Sequence, residues 1–118
     1  MRIFVDANIL VSVINKEYPL FTYTSRILSL ADSQHYDVFT SPVCLAIAFY
    51  FAEKKNKKTA KQKIKLLASN LSIASVDEKS VLETVQNQSV HDFEDGLEYY
   101  AALNIKCKSI VTEDKQDF

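Results

Sequence analysis

Three acidic groups in this 118-residue chain stand where chemistry could use them. Asp6 follows directly on the apolar run Ile3-Phe4-Val5, Asp92, Glu94 and Asp95 crowd one short stretch, and Asp114 and Asp117 follow Ile110-Val111. Carboxylates brought together repel: two unit charges about 4 Å apart cost roughly 4 kcal/mol at an effective dielectric of 20. A fold keeps such a group only if a cation neutralises it or one member holds its proton. An all-oxygen donor set selects hard cations such as Mg²⁺ or Mn²⁺. Such an ion activates water and steadies charge building on phosphorus, so the chemistry indicated is phosphodiester or phosphoryl chemistry.

The residues between these groups must position them. Ile3 to Val5 reads as a buried strand. Ile9, Leu10, Val13 and Ile14 then recur at helical spacing. After Lys16-Glu17-Tyr18-Pro19, a second helix has Phe21, Ile27, Leu28, Leu30 and Ala31 on its apolar face, and residues 37–40 read as a second strand. Ser41-Pro42 opens a third helix, cap then proline, running to about Lys54. Its sequence CLAIAFYFA is apolar nearly all round, which predicts heavy burial. The next helix is expected to turn Ile64, Leu66, Leu67 and Ala68 inward. Residues 71–76 read as a third strand, and Asp77 caps a helix through Val85. A linker at 86–90 leads to a helix over 93–103, with Phe93, Leu97, Tyr100, Ala101 and Leu103 available to face inward. Residues 109–111 form a fourth strand. This alternation predicts an α/β fold, three layers α/β/α around a central parallel sheet of four to five strands with Rossmann-like topology. Open parallel sheets bind ligands beyond the carboxyl ends of their strands. Asp6, the 92–95 group and the 114–117 group can all reach that edge. Each also has a plainer reading: Asp6 as a helix cap, Asp92 and Asp95 as first-turn acids complementing a helix dipole, Asp114 and Asp117 as solvated loop acids. Their conjunction at one edge favours a site.

Composition removes other classes. Hydrophobic content is 47%, charged content 25% and net charge −1, ordinary values for a globular domain that make no global demand for nucleic acid. No apolar run approaches the roughly 20 residues that span a bilayer, and the N-terminus does not resemble a signal peptide, which predicts a cytoplasmic protein without membrane association. Gly96 is the only glycine, so no glycine-rich phosphate loop exists. Cys44 and Cys107 make no disulfide or metal framework and read as small buried hydrophobes.

Four segments together resemble the PIN domain, the metal-dependent ribonuclease fold of VapC-type toxins. They are FVDANIL at 4–10, TSPVCLA at 40–46, DFEDGLEYYAAL at 92–103 and IVTEDKQDF at 110–118. The resemblance covers the chain, 1–118, as one PIN-like domain. It implies that Asp6, Asp95 and Asp114 carry catalysis and that Asp6, Asp92, Asp95, Asp114 and Asp117 form the metal pocket. Asn8, Ser41 and Thr112 would support it. It further implies one or two Mg²⁺ or Mn²⁺ ions, an RNA substrate cleaved by in-line attack, a cognate antitoxin and a homodimer. Two features depart from the family. Relatives carry a glutamate in the third helix, where residues 44–48 here are apolar or cysteine, so the pocket is expected to be one acid short. Relatives also continue through a short final strand, which this domain is expected to lack.

Two other readings stay open. One is a degenerate PIN domain that only binds RNA or protein. The other is an aspartate-based phosphatase or receiver, for which Asn8 stands where a second aspartate is expected. Seven lysines (54, 55, 57, 58, 61, 63 and 65) could make a phosphate track, with Lys54, Lys55, Lys57, Lys58 and Lys61 as the RNA contacts, or simply a solvated helical face. His91 precedes the acidic helix and reads as a surface histidine.

Overall fold

The computed structural model describes residues 1–90 and 92–112. Strand β1 (Arg2–Val5) is followed by helices α1 (Ala7–Ile14) and α2 (Phe21–Ser29). Then come β2 (Asp37–Thr40), helices α3 (Pro42–Lys55) and α4 (Lys57–Asn70), and a two-residue strand β3 (Ser72–Ile73). Helices α5 (Glu78–Gln86) and α6 (Phe93–Asn104) lead to β4 (Ser109–Val111). The four strands form one parallel sheet in the order β3-β2-β1-β4. The three-layer α/β reading is therefore correct, with four strands among the described residues.

The order of the strands decides where a ligand can sit. The chain steps outward from β1 to β2 and β3, then returns to lay β4 on the other side of β1. The seam between β1 and β4 is the topological switch point, where open α/β sheets hold their ligands. Pairing Ile3 with Ser109 and Val5 with Val111 brings both strands to a common carboxyl end. Phe4, Val5 and Leu10 are fully buried, so β1 and the first turns of α1 lie at the centre of the core.

Several expectations about facing are corrected. Helix α3 buries only Cys44, Ala48 and Ala52 of its apolar set, while Tyr50 and Phe51 are exposed. It packs between α1 and α4, which cover one side and leave the other open. In α4 the inward stripe is Ala60, Ile64 and Leu67, at i, i+4 and i+7, whereas Leu66 and Ala68 point to solvent. In α6 the inward residues are Gly96, Leu97, Glu98, Ala101 and Ala102. Phe93 and Leu103 are exposed, because they fall outside that stripe. The third strand shrinks to Ser72–Ile73 because it is the sheet's outer edge and pairs only with the end of β2.

Gly96 earns its place by proximity. A Cβ there would lie 2.5 Å from Thr84 Cγ2 and 2.7 Å from Val90 Cγ1. The missing side chain lets α5 and residue 90 press against the first turns of α6. That contact fixes where α6 begins relative to the sheet.

Candidate metal centre

Asp6 sits at the point where β1 becomes α1. Its amide donates to Val111 O across the switch point at 3.0 Å. Its carboxylate is held from both sides, with Oδ1 accepting from Ala7 N and Oδ2 accepting from Thr112 Oγ1, each at 2.5 Å. The side chain is buried, and further acids lie beside it.

Those acids come from one face of α6. Asp92 is the N-cap, its Oδ1 accepting from Asp95 N at 3.1 Å. With α6 started there, Glu94, Asp95 and Glu98 fall at i, i+1 and i+4 and face β1 together. Ligand oxygens of Asp6, Glu94, Asp95 and Glu98 all lie within 4.8 Å of one another. Glu94 and Asp95 are half-buried at the rim, and Glu98 is fully buried beneath them.

Glu98 was not foreseen from the sequence. A signal for it exists: it interrupts the inward stripe of Leu97, Ala101 and Ala102 with a charge, one turn from Glu94 and Asp95. Its Oε1 accepts from the Cys44 thiol at 3.0 Å, and its buried Oε2 has no hydrogen-bond donor among the described residues. Burial, contact with Asp6 and the Asp6 charge push Glu98 up from 4.5 to about 10. Burial first, then the charges of Asp92 and Asp6, push Glu94 up as well. Burial and the neighbouring Glu98 raise the Cys44 thiol far above its ordinary value. Two carboxyl groups facing each other with no donor between them are held together only by a shared proton or a cation.

Helix α3 contributes no acid to this group, as expected, but Glu98 of α6 joins Asp6, Glu94 and Asp95, and Cys44 on α3 packs directly against it. Cys44 is buried but is not a mere hydrophobe, since its thiol serves as a donor.

The other residues singled out from the sequence fall in several places. Asp6 and Asp95 come together, while Asp92 spends its carboxylate on capping α6. Thr112 buttresses Asp6. Ser41 caps α3, its Oγ accepting from Cys44 N at 3.2 Å, and so acts one residue contact away from the acids. Asn8 is exposed on the first turn of α1. Asp114, Asp117 and His91 lie outside the described residues. Lys54, Lys55, Lys57, Lys58 and Lys61 are at the far end of α3 and the start of α4, about 20 Å along α3 from Ser41. Lys54 Nζ lies 4.6 Å from the Tyr50 ring centroid, and Lys55 donates to the carbonyl that ends α1, Asn15 O.

The donor set fits a hard divalent cation. Four carboxylates supply oxygen alone, and an orphaned buried oxygen, Glu98 Oε2, lies among them. A parallel sheet in the order 3-2-1-4 with acids gathered at its switch point defines an α/β domain with a candidate site for a divalent cation.

The chain belongs to the PIN domain family, whose model matches residues 2–116. It is 25% identical to Ribonuclease VapC1 of Aquifex aeolicus (strain VF5) over 97% of this chain and 82% of that protein. Its fold is similar to the crystal structure of Mycobacterium tuberculosis VapC20, described as a Sarcin-Ricin loop cleaving toxin. The TM-score is 0.77 at 16% identity, covering 97% of this chain and 91% of that one.

Proposed function

We propose that this chain is a metal-dependent endoribonuclease of the VapC toxin type, cleaving RNA phosphodiester bonds. The observation that carries the reading is the convergence of Asp6, Glu94, Asp95 and Glu98 at the switch point of a PIN sheet. Family membership and the ribonuclease name of the Aquifex relative support it.

In this reading Asp6, Asp95, Glu94 and Glu98 hold Mg²⁺ or Mn²⁺, with Asp114 and Asp117 as further acids of the pocket. The bound cation supplies a polarised water and charge neutralisation at phosphorus. The chain's own residues do the rest. Thr112 and the Ala7 amide fix both oxygens of Asp6, so that carboxylate meets a cation without reorganising. Asp92 sets the first turn of α6 and thereby the direction of Asp95. Glu98 closes the floor of the site, and the half-buried Glu94 and Asp95 form the rim that an RNA phosphate approaches. An RNA backbone is repelled by that rim until a cation occupies it, which makes the metal a condition of substrate binding as well as of reaction.

The protein would act in the cytoplasm, paired with a protein antitoxin and assembled as a homodimer, as a toxin of this family. No helix among the described residues is long and apolar enough to cross a membrane. The test is Mn²⁺-dependent cleavage of RNA by the wild type, Asp6→Asn and Asp95→Asn. Cleavage lost on chelation and in both variants is the expected result. Cleavage that survives both substitutions, or that ignores chelation, refutes the proposal.

A further inference from the structure

The deep end of the site carries a donor that Mg²⁺ does not use. Asp6, Cys44 and Glu98 are each buried, and one ligand atom from each lies within 4.8 Å of the others. Cys44 Sγ is 3.0 Å from Glu98 Oε1, while Glu98 Oε2 is buried without a hydrogen-bond partner among the described residues. A thiolate beside two carboxylates is a mixed donor set that favours Zn²⁺ over the hard cations. Zinc bonds of about 2.3 Å to sulfur and 2.0–2.2 Å to oxygen need little closure of this group.

We propose that Asp6, Cys44 and Glu98 form a binding site for a thiophilic divalent cation, Zn²⁺, which shuts off the hard-metal site by taking its two innermost carboxylates. The inhibitory half of this proposal rests on the ribonuclease reading; the binding half does not. Zn²⁺ displaces the Cys44 thiol proton and the proton held by Glu98 to solvent, and gives Glu98 Oε2 a partner. Three protein ligands leave one position of a tetrahedron open to water.

The experiment uses Cd²⁺ as a spectroscopic probe, because a cadmium–thiolate bond gives an ultraviolet charge-transfer band. The metal-free full-length protein carrying Cys107→Ser retains Cys44 as its one thiol. Titration with Cd²⁺ is expected to raise a band that saturates with a single ion and disappears when Zn²⁺ is added. Glu98→Gln in the same background weakens Cd²⁺ binding by about tenfold or more, and Cys44→Ser in the wild type abolishes the band. Zn²⁺ is also expected to suppress Mn²⁺-supported RNA cleavage. A Cys107→Ser protein that gives no band overturns the proposal, whether or not the Cys44 variant folds. So does a band unmoved by Glu98→Gln. A saturating band in a protein that cleaves no RNA leaves the zinc site standing and removes the ribonuclease reading. RNA cleavage without a band removes the zinc site alone.

Discussion

Glu98→Gln is expected to make the metal-free protein more stable at neutral pH and less responsive to Mn²⁺. Glutamine keeps the shape, still accepts from the Cys44 thiol, and offers an amide N–H to Asp6. Burial and Asp6 raise Glu98 from 4.5 to about 10. Between those values the native protein holds a proton that the unfolded chain has released. Stability therefore falls as pH rises through that window. At pH 7 the distance above 4.5, at 1.36 kcal/mol per pH unit, sets an upper limit of about 3 kcal/mol on the destabilisation. Glutamine removes it, so the variant melts up to about 10 °C higher at pH 7. The advantage vanishes near pH 4.5, where the glutamate is protonated in both states. Mn²⁺ at a hundred times its dissociation constant stabilises the wild type by about 2.7 kcal/mol. Each tenfold loss of affinity in the variant removes about 1.4 kcal/mol of that gain. Thermal melts of both proteins at pH 7 and pH 4.5, with and without Mn²⁺, contain the whole test. A variant that is less stable than wild type at pH 7 without metal refutes the reasoning, as does one that keeps the full Mn²⁺ shift.

Other perturbations separate the parts of the site. Thr112→Val removes the donor to Asp6 Oδ2 and is expected to weaken Mn²⁺ binding measured by calorimetry, with Thr112→Ser restoring it. Asp92→Ala strips the N-cap of α6 and is expected to lower stability by about 1 kcal/mol in denaturant unfolding, while Asp92→Asn, which still caps, largely preserves it. Gly96→Ala drives a methyl into Thr84 and Val90 and is expected to be destabilising by about 1–3 kcal/mol, read by the same unfolding assay. The N-cap hydrogen bonds from the Ser80 amide and hydroxyl hold Asp77 below 3.8. Its contribution is thus present above that value and fades as the pH falls through the lower native one. Asp77→Asn is expected to flatten this part of the acid-unfolding curve.

Much of the fold could be read from periodicity and punctuation. Ile3-Phe4-Val5 before Asp6, Ser41-Pro42 before an apolar run, and Asp77 and Asp92 before helices are local signals, and each element starts where its signal lies. Facing was harder to read. In CLAIAFYFA almost every residue is apolar, so composition cannot say which side is buried; that depends on α1 and α4, which are remote in sequence. Tyr50 and Phe51 are exposed for this reason, and Leu66 likewise, because α4 turns Ala60, Ile64 and Leu67 inward. Strand length follows the same logic. Residues 71–76 alternate well enough for six residues of strand, but an edge position beside a short β2 pairs only two.

The site shows the limit of local reading most sharply. Asp6 and Asp95 were visible because each stands at an element boundary, where an acid is conspicuous. Glu98 stands in the middle of a helix, where an acid is ordinary, and only its phase against Leu97 and Ala101 marks it as inward. Cys44 looked like one more small hydrophobe in an apolar helix. Neither residue is conspicuous on its own account. The two meet at 3.0 Å across the seam between α3 and α6, 54 positions apart in sequence. In the proposed site this pair stands where α3 offers no acid. A carboxylate placed at Cys44 would meet Glu98 and Asp6 in a buried space that already holds two. At 4.8 Å, the outer limit of separation in this group, a second charge facing the Asp6 carboxylate costs about 3.5 kcal/mol at an effective dielectric of 20, and more at closer range. A thiol in that place donates a hydrogen bond instead of adding a charge. A glutamate on α6 and an uncharged donor on α3 are therefore one arrangement, and a change at either position should be tolerated best when the other changes with it.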